Sequence, residues 1–341
     1  MATLYDVARE AGVSKTLVSR TINHQPGVSP ENRKKIEEAM RKLQYTPNQV
    51  ARSLVLQKTN IIGVVLDSLC EPYYFDFIRG VENGVDDTGL EALFCSGREL
   101  PAKKDRMINF FSQGRVDGII IYGSATDDIS IIRRLAKRTF PFVIVENEAH
   151  IEGINSIVVD NVSGGEMAVD HLVSRGCRNI WHFTGDMKKT ISQSRKQGYL
   201  NGMKKHGLTV TPKMIIESSF EEMMGYMQMK QLINECAGNL PDGIFFGADV
   251  TAVGAVRALQ EAGIRVPEQL KVVGFDNDIY CTAGKGIPGL TTLCQPLREM
   301  GIEAVNILRD TIQNPSAERK NVLFSPKLII RESSSNREEG I

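Results

Sequence analysis

Eight apolar runs separated by stretches of helical periodicity limit what most of this chain can fold into. They are IIGVVLD (61–67), LEALFCSG (90–97), GIIIYG (118–123), FVIVEN (142–147), SIVVD (156–160), NIWHFTG (179–185), GIFFGAD (243–249) and LKVVGFD (270–276). Between them lie amphipathic segments such as FIRGVENGVDD, AVDHLVSRG and AVGAVRALQEAG. Apolar strands alternating with helices imply parallel sheets covered on both faces. Eight such units exceed one small sheet and predict two doubly wound subdomains. A length of 341 residues fits two or three domains.

Residues 3–23, TLYDVAREAGVSKTLVSRTIN, follow a different pattern. Thr3 can cap a first helix, with Asp6 three residues on. Leu4, Val7, Ala8 and Ala11 recur on one face, and Gly12 can take the left-handed conformation that ends a helix. Ser14 can cap a second helix, with Val18 and Ile22 on its buried face. Lys15, Thr16, Ser19, Arg20 and Asn23 are then left exposed or at its end. They are donor-rich side chains of the type that reads base edges in a major groove. Ser29 and Pro30 open a third helix, whose stripe is Ile36, Ala39, Met40 and Leu43; Pro47 breaks the pattern after Tyr45. Residues 48–57, NQVARSLVLQ, form a short amphipathic segment that needs a partner to be helical.

The net charge is zero but unevenly distributed. Residues 1–60 carry ten Lys/Arg and five Asp/Glu, and the remainder carry 31 and 36. A basic head on an acidic body suits a nucleic-acid-binding module. The cysteines (Cys70, Cys95, Cys177, Cys236, Cys281, Cys294) form no C-x-x-C pair, so no zinc or redox motif is indicated and no cofactor or metal is expected. His171 and His182 are read as structural. No run is long enough to span a bilayer and the first residues lack a signal-peptide core, so the expectation is a cytoplasmic protein. No glycine-rich phosphate loop, nucleophile elbow or paired-acid motif is present in the sequence, which argues against an enzyme.

Ligands of open α/β folds bind beyond the carboxyl ends of the strands. Asp67, Glu146, Asp160, Asp249 and Asp276 fall there, with Tyr73, Tyr74, Phe75 and Phe220 as available aromatics. Acids beside aromatics suit a polyhydroxylated ligand. Asp160 and Asp249 serve equally well as helix caps. Asp276 precedes the irregular stretch NDIYCTAGKGIPG and has no helix to cap.

Together these residues resemble the LacI/GalR family of bacterial transcription regulators. The resemblance rests on TLYDVAREAGVSKTLVSRTIN and VSPENRKKIEEAMRKLQYTPNQVARSL, then on EPYYFDFIRGVE, VDGIII, VVDNVSGGEMAVDHLVSRG, SRKQGYLNGM, VVGFDN and PGLTTLCQP. It implies a helix-turn-helix head (1–46), a hinge helix (47–60), a core like periplasmic sugar-binding proteins, and a polar tail (336–341). The core would divide into 61–160 plus 291–321 and 161–290 plus 322–335, with crossings near Asp160, Leu290 and Val322.

The resemblance also implies residue roles. Thr3, Tyr5, Ser14, Lys15, Thr16, Ser19, Arg20, Asn23 and Tyr45 would meet DNA, and Leu54 would wedge into the minor groove. Arg195 would clasp an effector and Asp276 would take its hydroxyls. Phe220 would stack on it, with Tyr74, Phe75, Glu146, Asp160, Asp249 and Gln295 also at the pocket. Losing Arg195 or Asp276 should then spare operator binding and remove the response. Many sugar-responsive members have Asn where Ala248 stands here, which leaves room for a larger ligand or a different one. The expectation is a homodimeric repressor of carbohydrate-utilisation genes on a palindromic operator, with a sugar or oligosaccharide effector. A non-sugar effector or a phosphoprotein corepressor is the alternative within the family. A transport protein would have no use for residues 1–57.

Overall fold

The computed structural model describes residues 2–23, 25–46, 58–86, 88–98, 100–148, 151–236, 239–278 and 287–335. They form two compact units, a small helical head and a large α/β core. Leu54, the hinge segment 47–57 and the tail 336–341 lie outside the described residues.

The head contains α1 (Leu4–Ala11), α2 (Lys15–Ile22) and α3 (Pro30–Lys42). Their boundaries follow from local hydrogen bonding. Asp6 N donates to Thr3 Oγ1 at 3.3 Å and Thr3 N donates to the Asp6 carboxylate at 2.9 Å, a reciprocal capping box. Gly12 ends α1 at φ 65°, where a side chain would be strained. Ser14 and Ser29 accept from Leu17 N and Asn32 N and so begin α2 and α3. Val7, Ala8, Val18, Ile36 and Ala39 are buried together where the helices meet.

Among the described residues the core holds two six-stranded sheets. The first comprises β1 (Ile61–Leu66), β2 (Glu91–Ser96), β3 (Gly118–Tyr122), β4 (Phe142–Val145), β5 (Asn155–Val159) and β11 (Asn321–Phe324), in the order β11-β5-β4-β3-β1-β2. Every pairing in it is parallel. The second comprises β6 (Ile180–Phe183), β7 (Ile215–Ile216), β8 (Gly243–Phe246), β9 (Lys271–Asp276), β10 (Thr291–Cys294) and β12 (Lys327–Ile329), in the order β12-β10-β9-β8-β6-β7. It is parallel except that β12 runs antiparallel to β10. The strands' buried residues form a separate apolar core in each subdomain.

Two of the expected crossings shift. β10 pairs with β9 in the second sheet, so the chain returns to the first subdomain after Cys294 rather than near Leu290. β11 pairs with β5 in the first sheet, so the last crossing lies between Phe324 and Lys327 rather than near Val322. The assignments of 291–294 and 322–324 are corrected accordingly. Pairing partners outside any local window, 18 residues away for β10 with β9 and 165 for β11 with β5, decide these boundaries, and Gln295-Pro296 and Ser325-Pro326 supply the breaks.

Among the described residues the remaining α-helices are α4 (Phe75–Asp86), α5 (Pro101–Phe111), α6 (Asp128–Ala136), α7 (Asn161–Ser174), α8 (Thr190–Lys205), α9 (Glu222–Cys236), α10 (Asp249–Glu261) and α11 (Leu297–Gln313). The crossing of α7 and α8 shapes the site. A Cβ at Gly198 would sit 2.1 Å from Val162 O, and one at Gly165 would sit 2.5 Å from Arg195 O. Only glycine permits so close an approach, and it brings the start of α7 against Arg195. Beside it, the loops after β3 and β6 exchange backbone bonds. Thr126 N donates to Lys188 O at 2.9 Å and Thr190 N to Ser124 O at 2.8 Å, linking the two subdomains along one wall.

Candidate functional site

A cavity of about 480 Å³ opens between the two subdomains at the carboxyl ends of their strands. That is where an α/β fold offers free strand ends, and the volume suits a small organic ligand. Five of the nine candidate effector residues line it: Tyr74, Glu146, Arg195, Phe220 and Asp276.

Arg195 comes from the middle of α8 and is 1% exposed. Its Nε donates to Asn161 Oδ1 at 2.8 Å and its Nη1 to Gly247 O at 2.5 Å. Nη1 is 3.3 Å from the Asp276 carboxylate, and the guanidinium lies 3.7 Å over the Phe275 ring. Asp276 ends β9 and accepts from Gln295 Nε2 at 2.7 Å. Burial holds the Asp276 carboxyl well above the usual range, against the pull of Arg195, and Asp249 and Asp278 push the same way.

Glu146 follows β4 and is 1% exposed, with Oε1 accepting from Val159 N at 3.1 Å. Among the described residues, Arg195 Nη2 and Glu146 Oε2 have no hydrogen-bond partner. A buried donor and a buried acceptor left open at one cavity are costly unless something fills them. Glu146 and Asp276 also hold φ of 63° and 115°, conformations that L-residues rarely adopt. Such strain at two facing strand ends marks a site rather than a scaffold need.

The four other candidates do not line the cavity. Phe75 begins α4 and is half exposed, one residue beyond the buried Tyr74. Asp160 caps α7, accepting from Ser163 N at 2.9 Å, and lines a separate groove with Asn147, Glu148 and Leu323. Asp249 is fully buried; it accepts from Thr292 Oγ1 at 2.7 Å and Asp278 N at 3.1 Å, tying the ends of β9 and β10 together. Gln295 stands behind the site, bonding Asp276 and Tyr73. Ala248 does line the cavity.

Tyr122, Ser124, Asp186, Lys189, Ser219, Glu221 and Asp278 line the cavity without having been singled out in the sequence. Tyr122 is the last residue of β3, and that position was the available signal. Its hydroxyl lies 2.7 Å from that of Tyr73, and both are held well above the usual tyrosine range by burial. Asp67 has a buried countercharge. Lys104 Nζ lies 2.5 Å from Asp67 and 2.6 Å from Asp128.

Burial pushes Glu146 up to about 7, outweighing Arg195, with Glu148 pushing the same way. The folded protein therefore holds a proton that the unfolded chain releases between the ordinary value of 4.5 and about 7. Stability should fall as pH rises through that window, a contribution of about 3 kcal/mol fully expressed above it. Urea midpoints at pH 5 and pH 8 should differ less in Glu146→Gln than in the native chain. An unchanged difference would mean that Glu146 does not titrate there.

In the head, Lys15, Thr16 and Arg20 are exposed on α2, and Tyr5 is 71% exposed on α1 with Lys15 Nζ 5.4 Å from its ring. Asn23 Nδ2 donates to Ser19 Oγ at 3.4 Å. Thr3 and Ser14 are occupied as caps yet exposed, and Tyr45 packs on the apolar core of the head. Exposed donors along a short second helix have the form that enters a major groove.

A helix-turn-helix head and a cleft-bearing α/β core define a DNA-binding regulator with a ligand-sized site. Residues 3–48 match the model for bacterial regulatory proteins of the lacI family, and residues 169–334 match that for a periplasmic binding protein-like domain. The chain is 33% identical to the HTH-type transcriptional repressor PurR of Proteus mirabilis, covering 98% of this chain and 97% of that one. The Lac repressor dimer bound to operator and the anti-inducer ONPF superposes with a TM-score of 0.86 at 28% identity, covering 98% and 99%. The transcriptional regulator CelR in complex with cellobiose gives 0.73 at 26%, covering 98% and 100%. The chain belongs to the lacI family of bacterial regulatory proteins. It is a DNA-binding transcriptional repressor, not an enzyme. Among the described residues no helix is long and apolar enough to cross a membrane.

Proposed function

We propose that this repressor is switched by a sugar or oligosaccharide held between its subdomains, and that it binds a palindromic operator as a homodimer. The pair of open buried groups, Arg195 Nη2 and Glu146 Oε2, carries the effector reading. A vicinal diol can accept from the first and donate to the second. Phe220 and Tyr74 offer apolar faces to a sugar ring. Ala248 leaves space beside them, which favours a ligand larger than one ring. The likeness to a regulator in complex with cellobiose supports the same class.

Exposed Met223 and Met227, four apart on α9, support a surface that a second copy would cover. Two heads related by a twofold axis would read two inverted half-sites. A ligand bonded to both subdomains shifts DNA affinity only by the difference in its affinity for their two arrangements.

Thermal denaturation of the full chain against a sugar panel tests the effector. A true ligand at a hundredfold its Kd adds about 2.7 kcal/mol of stability, and a panel without any shift would overturn the sugar assignment. Fluorescence anisotropy on duplex from upstream of the protein's own gene tests the operator. Asp276→Asn preserves shape and should keep operator affinity within about twofold. Its effector dose-response should weaken at least tenfold, since a hydrogen bond to a charged group contributes roughly 1.5–3 kcal/mol. An unchanged dose-response would remove Asp276 from the contact set.

A further inference from the structure

The charge around the cavity is lopsided. Asp276, Glu146 and Asp67 face it from the strand ends, and Glu71, Asp186, Glu221 and Asp278 from the surrounding loops. Beside these seven acids stand two cations among the described lining residues, Lys189 and Arg195. Lys104 offsets Asp67 from behind the wall, and burial holds Glu146 and Asp276 toward their protonated forms, so the loop acids weigh most in the field of the empty cleft. The charge of Arg195 is matched by Asp276, which with Gly247 O takes its Nη1 and leaves Nη2 as a donor for a neutral hydroxyl. Lys104 is shared between Asp67 and Asp128 and offers nothing to an incoming anion. Lys189 lies 5.1 Å from the Phe220 ring centre. The start of α10, a place where a helix can hold an anion, has Asp249 as its first residue. Four aromatic rings, Tyr73, Tyr74, Tyr122 and Phe220, complete the walls.

We propose that the cleft selects a polyhydroxylated ligand without an anionic group, and prefers one bearing a protonated amine over its neutral counterpart. This rests on reading the cleft as the effector site. An ammonium entering among carboxylates gains from their field and from the faces of the rings. It also draws Glu146 and Asp276 toward their ionised forms, which burial opposes in the empty cleft. A phosphate or carboxylate meets the opposite field even where one of its oxygens could reach Arg195 Nη2. Phosphorylated sugars and sugar acids are therefore rejected.

Cys70 lines the cavity and is exposed, so the field can be read without knowing the effector. In a Cys281→Ser background, with Cys70→Ser as the control for labelling site, Cys70 is reacted with methanethiosulfonates carrying either a trimethylammonium or a sulfonate group. After normalisation to 2-mercaptoethanol, the cationic reagent should react at least tenfold faster. Asp186→Asn with Glu221→Gln should bring that ratio toward one. A native ratio at or below one overturns the proposal.

The second arm is thermal shift of the full chain with two matched sets. One is glucose, glucosamine, glucose 6-phosphate and glucuronate; the other is cellobiose, its diamino counterpart and cellobionate. Stabilisation by neutral members, greater for amines and absent for anions, supports the proposal. Stabilisation by an anion beyond its neutral parent overturns it. Silence from both sets with a cation preference at Cys70 retires the carbohydrate reading while supporting charge selection.

Discussion

Replacing Arg195 with alanine is expected to lower the unfolding free energy by about 3–5 kcal/mol, the cost of leaving a buried charge uncompensated. The guanidinium is 1% exposed and joins parts of the chain far apart in sequence. It bonds Asn161 at the start of α7 and Gly247 after β8, pairs with Asp276 at the end of β9, and covers the Phe275 ring. Its loss strands Asp276 and leaves the Gly247 carbonyl without that donor. Read from the sequence, Arg195→Ala should only uncouple the effector. Its burial and its links make it a structural member as well, so the variant loses stability together with the response. Urea denaturation of the full chain measures this. Asp276→Asn, which keeps the shape and the Gln295 contact, isolates recognition from folding. A stability loss for Arg195→Ala below 1 kcal/mol would show that its partners resolvate freely.

The second large effect lies in the head. Arg20→Ala should remove roughly 1–3 kcal/mol of discrimination between operator and scrambled duplex for each head engaged, the usual value of a forked arginine contact to guanine. The fold should survive, because Arg20 is exposed while Val7, Val18 and Ile36 make the head's core. Anisotropy titrations on both duplexes, with circular dichroism as a control, decide it. Wild-type discrimination in a folded variant would move the reading surface elsewhere. Affinity for either duplex should fall steeply with salt, since residues 1–60 hold five more basic than acidic side chains.

Much of this protein was legible because its determinants are local. The capping box of Thr3 and Asp6, the left-handed Gly12, and the caps Ser14 and Ser29 all act within about four residues. The apolar runs likewise declare buried parallel strands wherever they end up. From these follow the helical head, the α/β core and a site at the strand ends.

What only the tertiary structure decided depends on contacts between distant residues. Asp249 and Asp276 both look like strand-end acids. Asp249 is consumed by Thr292, 43 residues away, whereas Asp276 faces the cavity. Asp160 spends its carboxylate on Ser163 N and faces a different groove. β10 belongs to the second sheet and β11 to the first because of partners that no local pattern names. The Lys104 triad, the Tyr73–Tyr122 pair and the anchoring of Arg195 arise the same way. Propensity and periodicity are properties of a short window, and they set which elements form. A pocket is a property of which windows meet, settled by long-range pairing and by close crossings such as Gly165 with Gly198, where the space allowed by two absent side chains determines where Arg195 can stand.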